Sequence, residues 1–256
     1  MICSPCAFKD GNLSAALAAT IAATPDVRIR IRQYHDRMTT SDHRSPLLAA
    51  LLLATIIALV ASGWHPYDRL TWLLEVAPVL VALPILLATR ERHPLTTLLY
   101  VLIFLHCLVL ILGGAYTYAR VPLGHWVQEF FGLSRNPYDK LGHFMQGFVP
   151  AMLAREILIR GKYVSGRGMT AFLCICVALA ISAFYELVEW WSALALGQGA
   201  DEFLGTQGDP WDTQSDMLLA LIGAATAMLT LSSAHDRQIR ALGRESVGPT
   251  SETTAP

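Results

Sequence analysis

Long apolar runs separated by short polar ones dominate the chain, and their lengths predict helices that cross a membrane. Six stretches reach or approach the span that a crossing helix needs, about 20 residues. They run roughly over Leu47–Ser62, Thr71–Ala88, Thr96–Tyr118, Lys140–Ile159, Thr170–Leu196 and Asp212–Ser232. The third is the least ambiguous, and the fourth is the most polar. Pro78 and Pro84 fall in the second stretch and Pro150 in the fourth. Such prolines are tolerated where neighbouring helices cover the freed carbonyls. Lipid offers no partner for open backbone groups, so helix is the expected form throughout. The pattern therefore predicts an all-α integral membrane bundle of about six transmembrane helices over residues 45–233. A polar extension, 1–44, precedes it, and a disordered tail, 234–256, follows it. The connecting segment Ala119–Asp139 contains VQEFFGLS, which reads as a short interfacial helix.

Composition strengthens the membrane reading. Hydrophobic residues make up 54% and charged residues 15% of the chain. Mean hydropathy is +0.43, whereas soluble domains carry about 25% charge. Lys+Arg is 19 against Asp+Glu 20, which excludes a basic nucleic-acid binder and a charge-driven disordered chain. Cationic residues then set orientation. From Met38 onward, one side holds Arg44, Arg90, Arg92, Arg160, Lys162, Arg167, Arg237, Arg240 and Arg244. The other holds Arg69, Arg120, Arg135 and Lys140. This places both termini of a multi-pass membrane protein in the cytoplasm. Met38, just before the first span, reads as a natural start, with 1–37 as an extension. Cys3 and Cys6 form a CxxC without a partner pair, a weak metal or redox signal. Cys107, Cys174 and Cys176 read as small apolar packers.

Candidate chemistry stands out against this background. Between Arg167 and Arg237 there is no Lys or Arg, and His235 is the sole histidine. The same interval holds Glu186, Glu189, Asp201, Glu202, Asp209, Asp212 and Asp216. Carboxylates in a bilayer are costly without a partner. The partner must come from another segment, a bound cation or protons. Asp139 and His143 are one turn apart at the outer end of the fourth span, and Gln146 continues that face. Glu186 and Glu189 lie about 24–28 Å along the fifth, also near its outer end. Asp212 and Asp216 share a face at the outer start of the sixth. Three helices thus bring acids and a histidine to one depth, and their lateral meeting is the expectation.

Simpler roles compete for some of these residues. Asp209 before Pro210 reads as an N-cap, Asp212 as a helix-dipole partner, and Asp139 as a possible cap of the fourth helix. Asp201 and Glu202 read as solvated loop charges. His106 reads as a hydrogen-bonded core residue, and Arg155 and Glu156 as residues that snorkel or pair locally. Trp190, Trp191 and Trp211 read as interfacial anchors. Glu75 is a weaker candidate for the same cluster.

The strings YDKLGHFMQGF, FYELVEWW and FLGTQGDPWDTQSDM resemble three hallmark blocks of the YjdF-like family of bacterial inner-membrane proteins. The likeness covers about Ser45 to Ser232. It implies this architecture and these residues, and carries no reaction. The layout also resembles the wider VanZ-like group. Asp139, Lys140 and His143 match its first element, Glu186 or Glu189 its second, and Asp212 with Asp216 its third. The VanZ-like arginine in the acidic turn has no counterpart in GTQGDPWD, so a glycopeptide-resistance role is not carried over.

Three functions fit these residues. One is a membrane-embedded hydrolase or transferase acting on an envelope lipid or lipid-linked substrate. His143, Glu186, Asp216 and Asp139 would be its candidate ligands for a divalent metal. Glu186, Glu189 and Asp212 would be its candidate catalytic groups. The second is a proton-coupled transporter. The third is a non-catalytic scaffold or envelope accessory protein, in which Lys140, Arg135, Arg120 and His143 neutralise the acids.

Overall fold

A computed structural model describes residues 45–196 and 206–246. Seven α-helices occur among these residues: α1 (Ser45–Trp64), α2 (Arg69–Thr89), α3 (Thr97–Tyr116), α4 (Pro122–Phe131), α5 (Tyr138–Arg160), α6 (Arg167–Leu196) and α7 (Asp212–Ser246). A single 3-10 turn, Tyr118–Arg120, leads into α4. Leu47–Leu242 forms one compact unit. The expectations on Cys3, Cys6, Met38, Asp201 and Glu202 lie outside the described residues.

Helices α1, α2, α3, α6 and α7 are long and apolar enough to cross a membrane. The remaining expected span, α5, forms a 23-residue helix at its expected place. Its polarity has a structural reason. Residues from Tyr138 to Glu156 are buried around several of its faces, including Asp139, His143, Arg155 and Glu156. It packs against α3 and α6, and its charges point at protein. Two glycines let it meet α7. A Cβ on Gly147 would overlap the Ala220 carbonyl, and one on Gly223 would overlap the Phe144 carbonyl. Small residues that admit backbone contact are typical of helix packing in lipid.

The main core joins Leu99 of α3, Ala151, Met152 and Ala154 of α5, Cys174 and Ala178 of α6, and Ala224, Ala227 and Met228 of α7. A second cluster, Val76, Val79, Cys107 and Ile111, joins α2 to α3. Helix α2 continues through Pro78 and Pro84, and α5 through Pro150. Caps are local: Asp68 accepts from Thr71 N at 2.7 Å, and these backbone N–H bonds hold its carboxyl below the usual range. Thr96 caps α3 through Leu99 N.

Several expectations need correction. Asp139 does not cap α5. The N-cap position is Pro137, and Asn136 supplies the oxygen that accepts from Tyr138 N at 3.0 Å. Asp209 accepts from Trp211 N at 2.9 Å, shaping the turn before α7, but the helix begins at Asp212. The last helix also runs to Ser246, so residues 234–246 are helical and not part of a disordered tail. Cys107 and Cys174 are buried, but Cys176 is on the exposed side of α6. His106 Nε2 has no hydrogen-bond partner among the described residues.

Arg155 and Glu156 do not snorkel. Glu156, 1% exposed, receives bonds from Thr96 N at 3.0 Å, Thr96 Oγ1 at 2.8 Å and Arg160 Nη1 at 2.7 Å. His235 Nε2 lies 2.9 Å from it. On the far side, Arg155 Nη1 is 3.1 Å from His235 Nδ1, and its Nη2 donates to Asp236 at 2.5 Å. Arginine only donates, so Nδ1 is the acceptor and Nε2 carries the hydrogen given to Glu156. This network ties α3, α5 and α7 together at the end of α5 remote from Asp139. Gln238 adds a bond to Leu98 N at 2.9 Å.

Candidate functional site

The acids expected at one depth do meet, and His143 is their hub. One turn into α5, its Nε2 is 3.4 Å from Asp139 Oδ1 on the same helix. The same nitrogen is 3.8 Å from Asp216 Oδ2 on α7. On the other edge of the ring, Nδ1 is 3.8 Å from Glu186 Oε1 on α6 and 3.0 Å from Gln146 Oε1. The ligand-capable atoms of Asp139, His143 and Asp216 lie within 4.8 Å of one another, as do those of His143, Glu186 and Glu189. Helical spacing explains why: Asp139 and His143 are an i, i+4 pair, and Glu186 and Glu189 an i, i+3 pair. The Gly147–Ala220 contact, one turn further along both helices, sets His143 against Asp216.

The site is buried and acid-rich. Asp216 is 1% exposed, and Asp139, His143 and Glu186 are also buried. Among the described residues, Asp139 Oδ2, Glu186 Oε1 and Asp216 Oδ1 have no hydrogen-bond partner. Orphaned acceptors of this kind are rare in native interiors and call for an explanation such as an ion or water. Glu75 of α2 is buried next to them, with Tyr185 OH donating to its Oε2 at 3.3 Å. The weaker candidate is thus tied to α6 through Tyr185, the neighbour of Glu186. Tyr185, which joins it, went unnoticed in sequence, although it sits one residue before Glu186.

The fixed cations stand at the rim. Arg135 Nη1 is 2.5 Å from Asp212 Oδ1, and Nη2 is 3.4 Å from Asp209 Oδ2. Burial alone would lower the Arg135 pKa, but the Asp212 and Asp209 carboxylates raise it above its ordinary value. Arg135 also donates to Thr206 O at 2.8 Å. Gln207 and Asn136 exchange two bonds of 3.0 Å next to it. Lys140 Nζ donates to Ser215 Oγ at 3.1 Å. Arg120 stacks over the Tyr67 ring at 4.2 Å. Asp212, itself buried, is held by Arg135. Replacing Arg135 with Ala or Lys should each loosen residues 206–212, because a lysine cannot reproduce the forked contact with both aspartates. Limited proteolysis of the purified protein should show faster cleavage in that segment for both variants, and an unchanged rate for Arg135→Lys would contradict this.

A family model described as "Predicted membrane protein (DUF2238)" matches residues 47–237. The chain is similar to the inner membrane protein YjdF of Escherichia coli (strain K12). The two are 62% identical over 197 residues, covering 77% of this chain and 94% of that relative. No solved structure matches the chain.

Proposed function

The chain belongs to the DUF2238 family of predicted membrane proteins, and from that premise we propose that it is an inner-membrane protein that holds a divalent cation at His143, Asp139 and Asp216. The cation would serve hydrolysis or group transfer on a lipid-linked envelope substrate. One observation carries the reading. Two buried carboxylates with unpartnered oxygens, on different helices, face the same histidine nitrogen. Two ligand atoms each about 2.1 Å from a tetrahedral zinc stand about 3.4 Å apart. The observed separations of 3.4 and 3.8 Å are close to that value.

Charge supports the same reading. Asp139, Asp216, Glu186 and Glu189 face one imidazole, and Arg135 is engaged elsewhere. Buried carboxylates without a counter-charge are strongly disfavoured, so a cation stabilises the arrangement. The mixed nitrogen and oxygen set suits zinc or manganese better than magnesium. Such an ion, when bound, activates water or polarises a phosphoryl oxygen. Glu186 and Glu189, on the other edge of the ring, are placed to act as general base. Asp216 is four residues inside α7, about 6 Å from its start. That depth suits a substrate whose reactive group sits at the headgroup level.

Protein purified without chelator should carry about one equivalent of zinc or manganese, as expected for one three-ligand set that leaves a position open. His143→Ala should carry none while keeping its helical circular dichroism. A parent protein that holds no metal, and takes up neither ion when it is added back, overturns the reading.

A further inference from the structure

Helix α4 carries a face that none of the functions above uses. We infer that it lies in the plane of the bilayer's headgroup–acyl boundary, with that face in the lipid. Ten residues make it about 15 Å long, half of what a crossing needs. Leu123, Trp126 and Phe130 recur at i, i+3 and i+7, so they share one face, and Phe131 and Leu133 extend it. All five are exposed, Phe130 at 82%. The opposite arc holds His125, Gln128 and Glu129, with His125 Nδ1 and Gln128 Oε1 3.1 Å apart. Apolar and polar arcs on one short helix are the pattern of an in-plane interfacial helix.

The helix is fastened to the bundle so that this face stays outward. A Cβ on Gly124 would overlap the Asn136 side chain, and Asn136 Nδ2 donates to Val121 O at 3.0 Å. At the far end, Gly132 turns left-handed at φ +64° and Leu133 N donates to Gln128 O at 2.9 Å, which closes the helix. Neither end is left to rotate the aromatic face inward.

Continuity with the membrane surface identifies lipid as the occupant. Exposed Trp64 and Tyr67 at the α1–α2 junction, Trp190 and Trp191 near the end of α6, and Trp211 before α7 belong to the same end of the bundle. Arg120, immediately before α4, stacks on Tyr67. Tyr67 N in turn donates to Ala115 O at 2.9 Å. Tryptophan and tyrosine gather where membrane meets water, and α4 extends their girdle. This inference does not depend on a metal at His143.

The test is nitroxide labelling of Trp126→Cys, Phe130→Cys and Glu129→Cys in a chain lacking its exposed cysteines. The full-length protein is reconstituted in vesicles of phosphatidylethanolamine and phosphatidylglycerol. Labels at 126 and 130 should collide readily with dissolved oxygen and at least five-fold less with a water-soluble nickel chelate than the label at 129. Equal access of the chelate to all three positions overturns the inference. So does spin–spin broadening at 130 that vanishes on dilution with unlabelled protein, which would make a second copy the occupant.

Discussion

Glu156→Ala should be among the most destabilising single substitutions in this protein, lowering its stability by about 3–5 kcal/mol, the usual cost of removing one partner from a buried ion pair. The carboxylate is 1% exposed and takes bonds from Thr96, Arg160 and His235. Alanine leaves the Thr96 N–H and the His235 Nε2–H without their acceptor, and Arg160 loses its carboxylate while keeping the Pro94 carbonyl. Three helices lose their common fastening at once, because the donors come from the start of α3, from α5 and from α7. Glu156→Gln should lose less, since an amide oxygen still accepts from Thr96 while the charge facing Arg160 is gone. Thermal denaturation followed by tryptophan fluorescence in a mild detergent measures the difference. The control is Leu229→Ala on the 85% exposed face of α7, which should stay near the parent. A Glu156→Ala protein melting with that control would refute the network as a fastening.

Much of this architecture is legible in the chain because its signal is local. Apolar runs of span length mark α1, α2, α3, α6 and α7, and those runs are the helices found. The depth of the acids follows from counting residues along a helix, whereas the lateral approach of Asp216 and Glu186 to His143 is supplied by the fold. What sequence does not carry is the second partner of each polar group. Arg155 and Glu156 look like ordinary residues near a helix end. Only the fold brings His235, 79 residues on, to Glu156 Oε2. The same is true of Asp139, whose cap-like position hides that Asn136 performs the capping and frees its carboxylate for His143. Asp212 reads as a site acid, and only the fold shows Arg135 as its partner. Helix α4 is foreshadowed by VQEFFGLS but begins earlier, because Pro122 at its first position and Gly132 at its end set its limits.

Gly147→Val should damage fold and site together, more than any change confined to the acids. A Cβ at 147 overlaps the Ala220 carbonyl oxygen. That obstacle is backbone, so no rotamer change relieves it and α5 must move away from α7. Overpacking of a core costs about 1–3 kcal/mol even where side chains yield, and a rigid neighbour puts this substitution at or above the upper end. The displacement is felt one turn away, where His143 Nε2 and Asp216 Oδ2 stand 3.8 Å apart across the same pair of helices. Opening that gap by about the width of a methyl group removes Asp216 from any shared ligand set. Cation content should therefore fall with stability in Gly147→Val. The same parallel loss should follow Gly223→Val, where the obstacle is the Phe144 carbonyl. Gly168→Val is the control: nothing lies within 4 Å of its Cβ position, and removing a helical glycine there should leave stability unchanged or slightly higher. Melting curves and metal analysis on the three variants measure both effects. If Gly147→Val behaves like Gly168→Val, the close crossing of α5 and α7 is not what positions Asp216 against His143, and the cation site loses its geometric basis.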